Sequence, residues 1–285
     1  MLKEDFARAQ RWSTEAVRQG EVPGERILNA LIMAAVKRGN LNAAGKWLKV
    51  LRNTGAKPSK AVYFRLIVEA ARRGDLVEAV SWFDQASLAG YVPDCATFTT
   101  MMGAAAKKGD LDAAELWFKR SQAQGVRPTM VTYNTLINAA AKNRSLPKAE
   151  HWFEVAVSSG CEPSSWTFAS LVEAATRLGD LPAAERWLER AGPRADLATF
   201  NAFLTGAARR GDLVRAEACL ERAHKAGFKP NKMTFNALVN AAAKAGDLPA
   251  TERWFERAGH SGVVADNITM TEMLNAAAHV GDLTV

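Results

Sequence analysis

Cysteine is scarce in this chain. Cys95, Cys161 and Cys219 are odd in number and far apart, with no CxxC or Cys/His spacing, so neither a disulfide framework nor a zinc site is expected from them. The four histidines, His151, His224, His260 and His279, share no motif and read as helix surface positions. No apolar run approaches the ~18 residues that a membrane span needs. The N-terminal MLKEDFARAQRW has no signal-peptide core, and Glu4 and Asp5 argue against an intact transit peptide. No nucleophile–base pair, carboxylate dyad or phosphate loop stands out. The acids are scattered as caps or second-helix surface residues such as Glu115, Glu150, Glu185 and Glu252. The reading is therefore a non-enzyme with no metal, cofactor, membrane partner or small-molecule substrate.

What is present is periodicity. A tryptophan column runs Trp12, Trp47, Trp82, Trp117, Trp152, Trp187, then Cys219 and Trp254, at steps of 35 with one of 32. A fixed period in this range marks a stacked repeat array, in which each repeat contacts only its neighbours. Hydrophobic residues make up 48% of the chain, ample for a continuous core. The formal charge of +7 favours an acidic partner and gains weight only if the cations are placed in register.

Residues 130–164 show the unit. Tyr133, Leu136, Ile137 and Ala140 recur at helical spacing, and the pattern breaks at Asn143-Arg144-Ser145. The sister breaks are Gly39-Asn40, Gly74-Asp75, Gly109-Asp110, Gly179-Asp180, Gly211-Asp212, Gly246-Asp247 and Gly281-Asp282. Glycine ends the first helix in the left-handed region, and Asp or Asn caps the second. Pro147, Pro182 and Pro249 fall in the second helix's first turn, where a missing N–H costs nothing. Ala44, Ala79, Ala114, Ala149, Ala184 and Ala216, with Thr251 as the exception, let the paired helices approach closely. The tryptophans fill the gap between repeats, and Cys219 is apolar filler in that column.

The expected architecture is all-α: a right-handed α-solenoid superhelix of helix-turn-helix repeats, about 16 helices in all. A leading second helix occupies 1–24. Seven pairs follow at 25–59, 60–94, 95–129, 130–164, 165–196, 197–231 and 232–266, then a partial repeat at 267–285. The array stops mid-repeat at both ends and reads as a segment of something longer.

The segment VTYNTLINAAAKNRSLPKAEHWFEVAVSSGCEPS resembles the pentatricopeptide repeat family through Val131-Thr132-Tyr133-Asn134-Thr135-Leu136-Ile137, Ala149, Phe153, Gly160 and Pro163. PSKAVYFRLIVEAARRGDLVEAVSWF, PDCATFTTMMGAAAKKGDLDAAELWF and PNKMTFNALVNAAAKAGDLPATERWF carry the same pattern. The resemblance covers essentially the whole chain. It implies single-stranded RNA binding at one base per repeat, in transcript processing, stability or translation in a mitochondrion or plastid, with recruited protein factors as further partners. A helical scaffold for protein–protein interaction is the competing class.

The resemblance further implies that each base is read by a first-helix residue together with the last residue of the same repeat. Those pairs are Asn29 with Ser59, Phe64 with Asp94, Thr99 with Thr129, Asn134 with Ser164, Ala169 with Asp196, Asn201 with Asn231 and Asn236 with Asp266, and Thr271 opens an unpaired unit. The family's code then gives roughly C-?-R-C-?-Y-U. Phe64 and Ala169 depart from the pattern, since neither can hydrogen-bond a base edge. The last residues are also all N-cap types, so capping alone would select them. Asn and Thr inside the first helix are mediocre helix formers, and ligand contact explains that column better. Three residues earlier, where the family sandwiches bases with an apolar residue, stand Arg26, Val131, Trp166, Met233 and Ile268, with alanine in the other repeats. Trp166 is open between core packing and stacking.

Each complete first helix ends in a cation: Lys37, Arg72, Lys107, Lys142, Arg177, Arg209 and Lys244. The helix dipole explains a bias of this kind, whereas a stripe matched to a phosphate backbone explains all seven.

Overall fold

The computed structural model describes residues 3–21, 23–263, 270, 271, 273 and 274, and of residues 3–7, 9 and 10 the backbone alone. Asp266, Ile268, His279 and the Gly281-Asp282 break lie outside the described residues, as does most of the helix expected from Asn267. Among the described residues the chain is helical throughout, with no strand. The helices are α1 (Lys3–Arg18), α2 (Glu25–Lys37), α3 (Leu41–Asn53), α4 (Lys60–Arg72), α5 (Leu76–Leu88), α6 (Cys95–Lys107), α7 (Leu111–Ala123) and α8 (Met130–Lys142). They continue as α9 (Leu146–Ser158), α10 (Ser165–Leu178), α11 (Leu181–Ala191), α12 (Leu197–Arg210), α13 (Leu213–Lys225), α14 (Lys232–Ala245) and α15 (Leu248–His260). The chain forms two compact units, Met1–Thr135 and Leu136–Val285.

The turns within each pair follow from their chemistry. Gly39, Gly109 and Gly246 sit at φ 73°, 75° and 74°. The next residue's side chain then accepts an N–H from the new helix: Asn40 from Ala43 at 3.0 Å, Asp110 from Ala113 at 2.9 Å, Asp247 from Ala250 at 2.9 Å. One repeat breaks both rules. Arg144 takes the glycine position at φ 54°, and Ser145 makes no side-chain cap. A non-glycine residue in this region is strained by roughly 1–2 kcal/mol, so Arg144→Gly is expected to stabilise the fold by about 1 kcal/mol, read as a higher denaturation midpoint. The shortened repeat closes differently, with a 3₁₀ turn at Gly192–Arg194.

In the first unit α2 packs on α3, α4 on α5 and α6 on α7, while the first helices α2, α4 and α6 stack in sequence. The second unit repeats this with the pairs α10/α11, α12/α13 and α14/α15 and the stack α10, α12, α14. The small-residue column is fully buried at Ala44, Ala79, Ala114, Ala149, Ala184, Ala216 and Thr251. The Thr251 hydroxyl is satisfied by the Asp247 carbonyl at 2.8 Å.

Beside the small-residue column the aromatics interlock between repeats. Phe83 lies 5.3 Å from Phe98 and 4.8 Å edge-on to Trp117. Phe153 lies 5.5 Å from Phe168 and 4.9 Å edge-on to Trp187. Two tryptophans depart from the expected core column. Trp82 is only half-buried, and Trp12, on α1, is 72% exposed. Trp117 and Trp187 each pack edge-on to a ring of the preceding repeat, Phe83 and Phe153. Cys219 is buried, and desolvation pushes its thiol up to about 12, consistent with inert filler.

Candidate nucleic-acid interface

The first-helix column and the last-residue column come together through hydrogen bonds. Ser59 donates its backbone N–H to Asn29 Oδ1 at 3.4 Å. Asn201 Nδ2 donates to Asn231 Oδ1 at 3.4 Å. Thr99 and Thr129 share a third group, the Thr132 hydroxyl, at 3.2 and 3.4 Å. In each case residues 30 apart in sequence are brought together. Asn29, Thr99, Asn134 and Asn236 are half-buried, whereas Thr129, Ser164, Asn231 and Thr271 are exposed. Asn201 is withdrawn further, to 4% exposure.

The last residues also cap helices. Asn231 Oδ1 accepts the Thr234 N–H at 3.1 Å, and Ser164 donates its N–H to the Thr167 hydroxyl at 3.2 Å. In the two repeats with an apolar first-helix residue the cap has taken over. Asp94 accepts both the N–H and the hydroxyl of Thr97, at 2.8 and 2.7 Å. Asp196 does the same with Thr199, at 2.9 and 2.8 Å. Phe64 carries the Lys60 ammonium over its ring at 5.2 Å, and Ala169 is half-buried with no polar group to offer.

Asp94 and Asp196 are held below the usual aspartate range. For Asp94 the Thr97 hydroxyl is the main cause, opposed by burial and helped by the Thr97 N–H and by Lys60. For Asp196 burial is the largest influence and opposes ionisation; the Thr199 N–H and the Ser165 and Thr199 hydroxyls outweigh it. A depressed carboxyl stabilises the fold above its unfolded pKa, here the ordinary 3.8, and that contribution is lost as pH falls through the lower folded value. Thr97→Val is expected to raise the Asp94 pKa toward 3.8, followed by NMR titration of the carboxyl. An unmoved pKa would show that the hydroxyl is not the anchor.

The earlier column faces solvent. Val131 is 65% exposed, Trp166 47% and Met233 60%, and Arg26 is also exposed. Trp166 is therefore a surface residue and not part of the core.

All seven cations, Lys37, Arg72, Lys107, Lys142, Arg177, Arg209 and Lys244, are exposed. Each follows its column residue by eight positions on one helix, about 12 Å along the axis. Two are engaged: Arg72 pairs with Glu69 at 2.8 Å and Arg177 with Glu173 at 2.6 Å. Glu69 is buried and its carboxyl is lowered, chiefly by the Arg72 hydrogen bond against burial, with Arg73 adding to it at 3.3 Å. The adjacent basic residue Arg210 has a structural task, donating to the Gly179 carbonyl of the preceding turn at 2.7 Å.

A further feature escaped the sequence reading. The glutamates after the small-residue column hold tryptophan N–H groups: Trp187 Nε1 donates to Glu150 and Trp254 Nε1 to Glu217, both at 2.9 Å. The signal was a glutamate 37 residues before a tryptophan, visible only when columns are compared across repeats. Among the described residues no group of three or more His, Cys, Asp or Glu is placed to hold a metal ion, and no helix is long and apolar enough to cross a membrane.

Comparison with known proteins adds a family. The PPR repeat family matches residues 93–142 and 128–177, the pentatricopeptide repeat domain matches 186–245, and the PPR repeat matches 233–263. No protein of curated function matches the sequence. Among solved structures, the maize pentatricopeptide repeat protein PPR10 is similar at TM-score 0.74 and 23% identity, over 98% of this chain and 44% of that one. PPR10 in complex with an 18-nt psaJ RNA element is similar at TM-score 0.64 and 22% identity, over 98% and 45%. The nuclear proteinaceous RNase P 2 of A. thaliana is similar at TM-score 0.53 and 16% identity, over 65% and 42%. The chain thus spans less than half the length of these proteins.

Proposed function

Because the chain belongs to the pentatricopeptide repeat family, we propose that it binds single-stranded RNA sequence-selectively, about one base per repeat. The observation that carries this reading is the meeting of two sequence-distant polar columns, seen at Asn29/Ser59, Thr99/Thr129 and Asn201/Asn231. An exposed cation follows each on the same helix. Hydrogen-bonding side chains beside an exposed apolar or guanidinium group suit an unstacked base, and the cations suit its phosphates. The complex of PPR10 with an RNA element supports the same reading.

Four repeats carry a polar pair: Asn29/Ser59, Thr99/Thr129, Asn134/Ser164 and Asn201/Asn231. Asn236 would form a fifth with Asp266. The repeats at Phe64/Asp94 and Ala169/Asp196 act as spacers, their carboxylates spent on capping. Val131, Trp166, Met233 and Arg26 sandwich bases. The protein acts by occupancy, through nuclease blocking, RNA remodelling or recruitment of a protein factor, without turnover. Its setting is transcript processing, stability or translation in a mitochondrion or plastid.

The test is selection from a randomised single-stranded RNA pool. The expected result is enrichment of a motif about seven nucleotides long, with the second and fifth positions unconstrained and pyrimidines at the repeats bearing asparagine. Absence of enrichment, with tolerance of Asn134→Ala, Asn201→Ala and Asn236→Ala in a protein pull-down, would favour a scaffold for protein partners instead.

A further inference from the structure

One column has no place in the two-residue scheme. The third residue of five first helices is a buried threonine, Thr97, Thr132, Thr167, Thr199 and Thr234, with Val62 at this place in α4 and Ile27 in α2. The hydroxyl of this residue goes to different partners according to the preceding repeat. Where the column residue is Phe64 or Ala169, it donates to the cap carboxylate, Asp94 at 2.7 Å or Asp196 at 2.8 Å. Where that residue is polar, it also reaches back to it: Thr132 to Thr99 at 3.2 Å, and Thr234 to Asn201 at 2.9 Å alongside its cap contact to Asn231 Oδ1 at 3.1 Å.

The amide orientations around Thr234 follow from backbone donors. An amide orientation is ordinarily ambiguous, but a backbone N–H can only donate. The Thr234 N–H donates to Asn231 at 3.1 Å, which makes that atom Oδ1. The Asn201 atom 3.4 Å from this oxygen must then be Nδ2, which leaves Asn201 Oδ1 facing the Thr234 hydroxyl. That hydroxyl already accepts the Asn231 N–H at 3.2 Å; its one proton has two oxygens in reach, Asn201 Oδ1 at 2.9 Å and Asn231 Oδ1 at 3.1 Å, and Asn201 is the nearer. The sequence of donors is Asn231 N–H to Thr234 Oγ1, then Thr234 O–H to Asn201 Oδ1. The same polarity holds in the other unit. Thr129 donates its N–H to Thr132 Oγ1 at 3.2 Å. Thr99 spends its own proton on the Cys95 carbonyl at 2.8 Å, so it accepts from Thr132.

Where Val62 removes the hydroxyl, the relay is gone. Asn29 Oδ1 takes the Ser59 N–H directly at 3.4 Å, and the Asn29 side chain stays half-exposed while Asn201 is drawn in to 4%.

We infer that the buried threonine of the following repeat, Thr132 for Thr99 and Thr234 for Asn201, is a positioning residue that sets base preference. It consumes the inward oxygen, so that the pair Asn201/Asn231 presents donors only, and a donor-only surface selects base edges rich in acceptors, such as pyrimidine O2. Reading then involves three residues per base, the third from the next repeat. The inference rests on the RNA-reading proposal.

The test compares base preference in selected RNA for the wild-type chain, Thr234→Val and Thr234→Ser, with Val62→Thr as the converse variant. Valine keeps the shape and removes the hydroxyl; serine keeps the hydroxyl. Thr234→Val is expected to relax discrimination about 3- to 10-fold at the one position read by residues 197–231, the scale of one hydrogen bond. Thr234→Ser retains discrimination, and Val62→Thr sharpens it at the position read by residues 25–59. Wild-type discrimination in Thr234→Val, or no gain in Val62→Thr, would overturn the inference while leaving RNA reading intact. A wild-type chain with no base selectivity would overturn both.

Discussion

Trp187→Ala is expected to destabilise the fold by about 3–5 kcal/mol, whereas Trp12→Ala changes stability by under about 0.5 kcal/mol. The two residues occupy the same column and differ in what surrounds them. Trp187 is 5% exposed, sits 4.9 Å edge-on to Phe153 and donates its N–H to Glu150 at 2.9 Å. The Arg190 guanidinium covers Trp187 at 4.9 Å and Phe153 at 4.7 Å, and it pairs with Glu154. Removing the indole opens a cavity between repeats and leaves the Glu150 carboxylate without its donor. Trp12, at 72% exposure, loses little. Chemical denaturation of both variants reads the difference, and similar costs would mean that the tryptophan column does not hold neighbouring repeats together.

RNA affinity is expected to fall about 100- to 1,000-fold between 50 and 200 mM salt, a log–log slope between about −3.5 and −5 at ~0.7 per phosphate contact on a single strand. The upper limit counts seven cations. The lower counts five, Lys37, Lys107, Lys142, Arg209 and Lys244, and omits Arg72 and Arg177, which pair with Glu69 and Glu173. The Arg177–Glu173 pair is exposed and contributes ~0–1 kcal/mol; Glu69 is buried, and Arg73 remains beside it when Arg72 leaves, so RNA can recruit both arginines. A slope shallower than about −2 would rule out the cation column as a phosphate track.

The sequence made the helical fold legible because the same three signals recur. Asp110 after Gly109 ends one helix and caps the next, Ala114 permits close approach, and Trp117 fills the gap beside Phe83. Single-repeat reasoning also found the polar and cationic columns, since each is a residue type at a fixed place. It missed what depends on a neighbour. Trp12 reads as core by register, yet is 72% exposed. Glu150 reads as a surface acid, yet holds Trp187 from the next one. Trp166 has the same helical spacing as a core residue, and its 47% exposure places it outside the core. Thr132 and Thr234 read as ordinary N-terminal helix residues, and only the distances to Thr99 and Asn201 give them a second task.

The central claim is that each polar pair reads one base in register. The most direct test is to repeat the RNA selection with Asn231→Asp. Aspartate keeps the cap to the Thr234 N–H while changing the exposed amide into an acceptor. The account predicts that one position of the enriched motif moves from either pyrimidine to uracil, with every other position unchanged. A motif that does not move, or that changes along its whole length, would contradict it.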